Sequence, residues 1–451
     1  MVDFKYSHEM AHLDEVLFRL KRQALSRGFA DTAVVRGERG CGKTEMIQKY
    51  VARTSSAYYI SFDTDERCVM TNVCHTFFGD TVYNNWKDVF TALNRRFSSS
   101  WAFIFLDHGF EEFEDSHPEF AEAEEIIRGN SHILTAVVRN ESCPPETMLS
   151  FYGNEVDVIP RALQHYCKAF TGWDKEDILR LYALTGGKPA VVYDLDASCS
   201  YADNLRYLLS RHSAYSSYLP SLLKECFRAP ESYYPILYSI TTGSHRLGEI
   251  ANSIRFPYNK TDTYLKALIR KGFVKAVPSG NGSTSTYSLT SSYYISWMRY
   301  IYPNRDRQMI CPEEIERTVT ENIDRDISLE CFREAAFRHA LNTAKFYDRL
   351  GDVSGSEITK DRKYRLATGK DITYTVIDKG YDEGALLIVP DDLSVRFDEN
   401  DIYAVRKFMK EQDIWNKMVL IFSLHRFSDW CVHFFHVNDD WFGITSERMK
   451  Y

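Results

Sequence analysis

Apolar and polar positions along the chain change period several times, and each change marks a new element. Between residues 7 and 28 the apolar positions Met10, Leu13, Val16, Leu17, Leu20 and Leu25 fall near helical spacing, which predicts an amphipathic helix. Residues 32–36 form a short apolar run that predicts a strand, and a second strand is predicted over 57–62. Helices are predicted over 65–78 and 83–98, the latter with Trp86, Val89, Phe90 and Leu93 on one face. The run from Trp101 to Leu106 is apolar without alternation and closes on Asp107, the pattern of a strand covered on both faces of a parallel sheet. Residues 131–139 repeat it and end in polar groups. Strands separated by helical segments predict an α/β domain with a parallel sheet.

Residues 160–213 read as mostly helical. Asp174 is placed to cap a helix carrying Ile178, Leu179, Leu181 and Tyr182, with Asp177 as the acid of a capping box. Thr185-Gly186-Gly187-Lys188-Pro189 terminates that helix. From residue 230 the periods shorten: helices over 234–242, 247–254 and 259–271 precede a hairpin of strands 273–277 and 286–290, joined by a polar turn at 278–283. Tyr264, Leu265, Leu268 and Ile269 face inward on the third helix. Three helices and a hairpin predict a winged helix-turn-helix.

Candidate chemistry changes the picture most between residues 33 and 44. Gly37-Glu38-Arg39-Gly40-Cys41-Gly42-Lys43-Thr44 fits G-x-x-x-x-G-K-[ST], after a predicted strand and before a helix-compatible segment that starts at Glu45. Gly37, Gly40 and Gly42 allow the backbone to turn its N–H groups toward phosphate oxygens, with Cys41 inside the cradle and Glu45 opening the helix. Lys43 would reach the β- and γ-phosphates, and Thr44 would ligate Mg²⁺. ATP and Mg²⁺ are therefore the expected cofactors. Asp107, 63 residues after Thr44, ends a buried strand where doubly wound sheets place ligands, and is the expected second ligand to Mg²⁺. Arg139 and Asn140 fall at the same predicted sheet edge, where Arg139 either senses the γ-phosphate or is a solvated loop arginine.

Composition sets bounds. At 451 residues the chain requires two to four domains, and 44% hydrophobic with 26% charged residues is ordinary for a soluble globular protein. The net charge of −8 excludes a chain-wide nucleic-acid footprint and leaves room for a local basic patch. Lys260, Lys266, Arg270 and Lys271 on the third helix are such a patch, fit for DNA phosphates or, alternatively, for a protein contact. Ten cysteines include no C-x-x-C pair, which suits reduced thiols. No apolar run reaches the roughly 18 residues of a membrane span, and the N-terminus lacks a signal-peptide core. A cytoplasmic protein with no membrane contact is expected.

Phosphate loop, acidic strand, Thr185-Gly186-Gly187-Lys188-Pro189 and winged helix, in that order, resemble the archaeal-type P-loop ATPase family, a branch of the AAA+/STAND-like ATPases. In that family a T-G-G-x-P segment ends a helical lid, and an aromatic-rich segment like Tyr293-Tyr294-Ile295-Ser296-Trp297-Met298 ends the winged helix. The likeness covers residues 8–305. It implies that the residue after Asp107 should be glutamate, which polarises the attacking water; here it is His108. Asp107 and His108 are thus the expected catalytic pair. Histidine can take up a proton near neutrality, but a neutral imidazole is a weak electrostatic substitute for a carboxylate. Slow hydrolysis is the favoured expectation, with Glu111 or Glu112 as alternative stand-ins.

The resemblance also implies a C-terminal domain similar to restriction-type nucleases, matched by a helix over 332–341 and strands over 370–378, 385–389 and 419–423, with Trp415 and Trp430 packing its core. The first metal-binding acid would fall at Thr373, unless Asp371 substitutes, and E-x-K would fall at Ile388-Val389-Pro390-Asp391-Asp392, which has no lysine. A degenerate, non-catalytic binding module is expected, with a metal at Asp371, Asp391 and Asp392 the minor alternative. The expected organisation is an ATPase domain over 1–158, a helical lid over 159–228, a winged helix over 229–308 and the nuclease-like domain over 309–451. The expected function is a nucleotide-dependent switch that hydrolyses ATP slowly. DNA-binding regulation or defence is the alternative, an ATP-driven nuclease a distant third, and a protein partner or a second copy of the chain a further expected contact.

Overall fold

In the computed structural model the described residues are 6–29, 31–140, 154–158, 160–278, 285–305, 312–343, 346, 349–350, 353, 356–380, 383–414 and 417–449. The polar turn after Pro278, the boundary at 308/309 and Trp415 lie outside them. The chain forms two compact units that divide between Pro160 and Arg161.

The first unit opens with α1 (Ser7–Arg27), β1 (Ala33–Gly37), α2 (Lys43–Arg53), β2 (Ala57–Ser61), α3 (Glu66–Phe78) and α4 (Trp86–Arg96). It continues with β3 (Ala102–Asp107), α5 (Phe110–Ser116), α6 (Pro118–Arg128), β4 (Ile133–Asn140) and β5 (Glu155–Asp157). The five strands make one parallel sheet in the order β2-β3-β4-β1-β5. Successive residues of β3 explain why its sequence does not alternate. Ala102, Ile104 and Leu106 pack with Val73, Phe77, Trp86 and Phe120 of α3, α4 and α6. Phe105 faces the other way, with Leu13, Leu20 and Ile47 of α1 and α2. Both faces are dry, as a parallel sheet requires. The α1 stripe is buried as predicted through Leu20, but its last turn buries Ala24 and leaves Leu25 67% exposed.

The second unit begins with α7 (Leu163–Ala169), α8 (Lys175–Thr185), α9 (Tyr201–Leu209) and α10 (Ala214–Cys226). Asp174 occupies the position before α8, but its side chain makes no capping hydrogen bond. Asp177 turns instead to Arg180 at 2.7 Å, and Arg180 also bridges Asp324. A guanidinium with two carboxylate partners outcompetes the predicted capping box. Next come α11 (Tyr234–Thr241), α12 (Leu247–Ile254), α13 (Tyr258–Arg270) and an antiparallel pair, β6 (Val274–Pro278) and β7 (Ser285–Leu289). The remainder is α14 (Ser292–Ser296), α15 (Pro312–Ile323), α16 (Leu329–Asn342), β8 (Glu357–Arg365), β9 (Asp371–Gly380), β10 (Glu383–Pro390), α17 (Glu399–Glu411), β11 (Met418–Ser423), α18 (Asp429–Val437) and β12 (Trp441–Thr445).

These last strands form a mixed sheet in the order β12-β11-β10-β9-β8, antiparallel from β8 to β10 and parallel from β10 to β12. Helices α17 and α18 cover one face, where Trp430 stacks on Phe434, and α16 lies among the residues that cover the other. One apolar cluster joins residues from Leu163 to Met449, and a second, from Leu366 to Phe434, lies under α17 and α18. Among the described residues no helix is long and apolar enough to cross a membrane.

Candidate functional site

The carboxyl ends of β1, β3 and β4 lie at one edge of the parallel sheet, because register pairs Gly37 with Asn140 and Arg36 with Arg139 across β1 and β4. From Gly37 the chain turns through residues 38–42 into α2, whose first residue is Lys43. Two glycines in this turn are dictated by contacts. A Cβ at Gly37 would lie 2.0 Å from the Val158 carbonyl oxygen. One at Gly42, where φ is +95°, would lie 2.0 Å from the Tyr6 hydroxyl. The Lys43 side chain is folded inside the turn, with its residue 6% exposed, and its ammonium donates to the carbonyls of Gly37 (2.7 Å) and Glu38 (2.9 Å). Cys41 is buried beneath the same turn. Glu45 opens the first turn of α2, where its carboxylate accepts from Tyr6 (2.7 Å) and pairs with Lys49 (2.8 Å).

Asp107 ends β3 and is 4% exposed, yet its carboxylate is fully engaged. Oδ2 accepts from the Thr44 hydroxyl at 2.8 Å and from the Tyr59 hydroxyl at 3.2 Å, while Oδ1 accepts from the His108 amide at 2.8 Å. Burial first, and then the Asp107 charge, hold the Tyr59 phenol well above its ordinary range, so it remains protonated and donates. His108 adopts φ +53°, an uncommon conformation for a residue with a side chain, and Gly109 follows at +84°. The imidazole consequently returns over the carboxylate, with Nε2 3.5 Å from Thr44 Oγ1 and 3.6 Å from Asp107 Oδ2.

The structure therefore brings Gly37, Gly40, Cys41, Gly42, Lys43, Thr44, Asp107 and His108 to one place. Arg139 is at the same sheet edge, but its Nε donates to Glu111 at 2.7 Å. That ion pair also occupies Glu111, one of the two acids expected to stand in for a glutamate at 108. The Glu112 side chain lies outside the described part of the structure. Two residues of the site carry no motif in the sequence: Tyr6, which braces Gly42 and Glu45, and Tyr59, which holds Asp107. Thr44 Oγ1 and the Asp107 carboxylate are hard oxygen donors 2.8 Å apart, beside a turn in which neither Gly37 nor Gly42 has room for a Cβ. Such a donor set fits Mg²⁺.

In the second unit the expected first acid position, Thr373, is buried on β9 and donates to Asp391. It lines a hollow between α16 and the sheet with Glu330, Arg333, Lys360 and Asp361. The three aspartates of the minor metal alternative have other partners: Asp371 faces Arg365, Asp391 pairs with Arg333 at 2.8 Å, and Asp392 accepts from Ser394. Among the described residues no group of three or more His, Cys, Asp or Glu side chains could hold a metal ion.

No protein-family model matches the chain. Uncharacterized protein MJECL04 of Methanocaldococcus jannaschii is 24% identical over 312 residues, covering 64% of this chain and 68% of that protein. Among solved structures, the Aeropyrum pernix ORC1 protein in complex with DNA is 16% identical with a TM-score of 0.30, covering 66% of this chain and 94% of the other. Drosophila ORC bound to DNA is 12% identical with a TM-score of 0.26, over 66% and 99% of the two chains. C. elegans PCH-2 is 11% identical with a TM-score of 0.23, over 59% and 66%. Scores this low carry no argument about this chain, whose fold rests on its own sheet and turn.

Proposed function

We propose that this protein binds ATP at the turn from Gly37 to Thr44 and acts as a nucleotide-dependent switch with slow hydrolysis, in the manner of a P-loop ATPase of the AAA+/STAND-like type. The observation that carries the reading is the 2.8 Å contact of Thr44 with buried Asp107, beside a Lys43 ammonium already folded into the glycine turn. Backbone N–H groups at the start of α2 would meet phosphate oxygens, and Lys43 would exchange its carbonyl partners for them. Thr44 and Asp107 would hold Mg²⁺, which neutralises phosphate charge when bound.

Slow turnover follows from what flanks Asp107. His108 stands where a water-polarising glutamate is expected, and Glu111 is held by Arg139. Communication outward would run through the second unit, read here as lid, winged helix and a nuclease-like module without catalytic residues. Its T-G-G-K-P segment is built into that core: Thr185 hydrogen-bonds Tyr166 at 2.7 Å, and Lys188 lies over the Tyr294 ring. Ser296 donates to the Leu184 carbonyl at 2.7 Å, so α8 and α14 would move together. Steady-state ATP turnover of the wild type beside His108→Glu tests the slow-hydrolysis reading. The variant should turn over faster, by roughly the 10²-fold that a positioned acid–base group supplies; equal or slower turnover would contradict it.

DNA binding is the second reading. Asn259, Thr263, Lys266 and Arg270 lie on one exposed face of α13, with Lys271 and Lys275 following. Lys266 is partly neutralised by Asp262 at 2.7 Å, which weakens this face as a phosphate contact.

A further inference from the structure

The imidazole of His108 has a place in the cluster that neither phosphate binding nor water activation explains. Its Nε2, Thr44 Oγ1 and Asp107 Oδ2 form a triangle with edges of 2.8, 3.5 and 3.6 Å. For an octahedral cation with bonds of about 2.1 Å, neighbouring ligands stand about 3.0 Å apart, so the triangle is close to one face of a coordination polyhedron. Backbone geometry enforces this placement. The left-handed turn at His108 and Gly109 folds the ring back over the strand end, and such conformations in residues with side chains cost of order 1–3 kcal/mol and cluster at functional sites. Tyr59 completes the arrangement by donating to the same Asp107 oxygen, which fixes the carboxylate toward Thr44 and His108.

We infer that His108 is a third protein ligand of the nucleotide-linked cation, and that it shifts the site's preference from Mg²⁺ toward divalent ions that accept nitrogen, such as Mn²⁺ or Co²⁺. Mg²⁺ favours all-oxygen shells, whereas imidazole suits first-row transition ions, whose affinities for mixed nitrogen and oxygen sites rise from Mn²⁺ to Co²⁺. A glutamate at 108 would keep the donors all oxygen. The inference rests on the nucleotide reading above and specifies the cation for it.

The direct test is pulsed electron paramagnetic resonance on the full chain with Mn²⁺ and a non-hydrolysable ATP analogue, with nucleotide occupancy measured in the same samples. A ¹⁴N modulation from coordinated imidazole is expected in the wild type and should vanish in His108→Asn, which tolerates the left-handed backbone, and in His108→Glu. Calorimetric titration of the analogue with Co²⁺ against Mg²⁺ should show a preference of roughly tenfold or more that collapses in His108→Glu. Bound nucleotide and Mn²⁺ without nitrogen coupling, or a metal preference unchanged in both variants, would overturn the assignment while leaving the nucleotide reading intact. Failure of the wild type to bind the analogue with any of these metals, or in EDTA, would contradict the nucleotide reading itself.

Discussion

At the scale of single residues, the site separates into what a local pattern announces and what only folding assembles. Gly37, Gly42, Lys43, Thr44 and Asp107 were legible because phosphate-binding geometry needs those residue types at fixed short spacing. Tyr6 and Tyr59 were not, since their partners Glu45 and Asp107 lie 39 and 48 residues away and neither tyrosine carries a local signal. His108 was recognisable as a departure from glutamate, but its inward ring depends on a left-handed φ that the sequence hints at only through the following glycine. Gly42 provides the residue-level prediction. Gly42→Ala places a methyl group against the Tyr6 hydroxyl at a φ that L-residues resist, at a cost of about 1–3 kcal/mol. Both thermal stability and ATP affinity should fall. Wild-type values for both would show that the cradle tolerates a side chain.

At the scale of elements, long periodic segments matched their predictions, and the misses have physical causes. Strand β5 is three residues long, too short for any periodicity, and Arg36 ties it to the sheet through Glu155 and Asp157. Strand β8 is an exposed edge dense in charge, a pattern that also describes a loop. The capping box at Asp174 failed because Arg180 and Asp324, 144 residues apart in sequence, claim Asp177's neighbourhood. Helix α13 carries the prediction that decides between DNA and protein contact. If its exposed face meets DNA, Lys266→Glu with Arg270→Glu should weaken binding across sequences. It should also reduce the slope of log affinity against log salt by about 1 per lost phosphate contact. An unchanged isotherm would assign the face to another partner.

At the scale of the whole molecule, the tyrosine-rich composition becomes a property of stability. Burial pushes the phenols of Tyr50, Tyr59, Tyr201, Tyr215, Tyr293 and Tyr300 upward, and that of Tyr234 to about 12. Unfolded tyrosines release their protons near 10. Above that pH the native state binds more protons than the unfolded chain, so stability is complete below it and falls as pH rises. Alkaline titration should therefore show the phenolate absorbance of these buried side chains appearing only together with loss of circular dichroism above pH 10; full phenolate absorbance from all 29 tyrosines in a chain that keeps its circular dichroism would contradict this. The apolar cluster that joins residues as far apart as Leu163 and Met449 was not readable from periodicity, which reports faces and not which faces meet. Everything proposed for the whole chain depends on nucleotide held at one turn. The decisive measurement is calorimetric titration of ATP with divalent cation into the wild type and into Lys43→Ala. Saturable binding by the wild type and its loss in the variant is the predicted result; equal affinity in both would contradict the assignment of that turn.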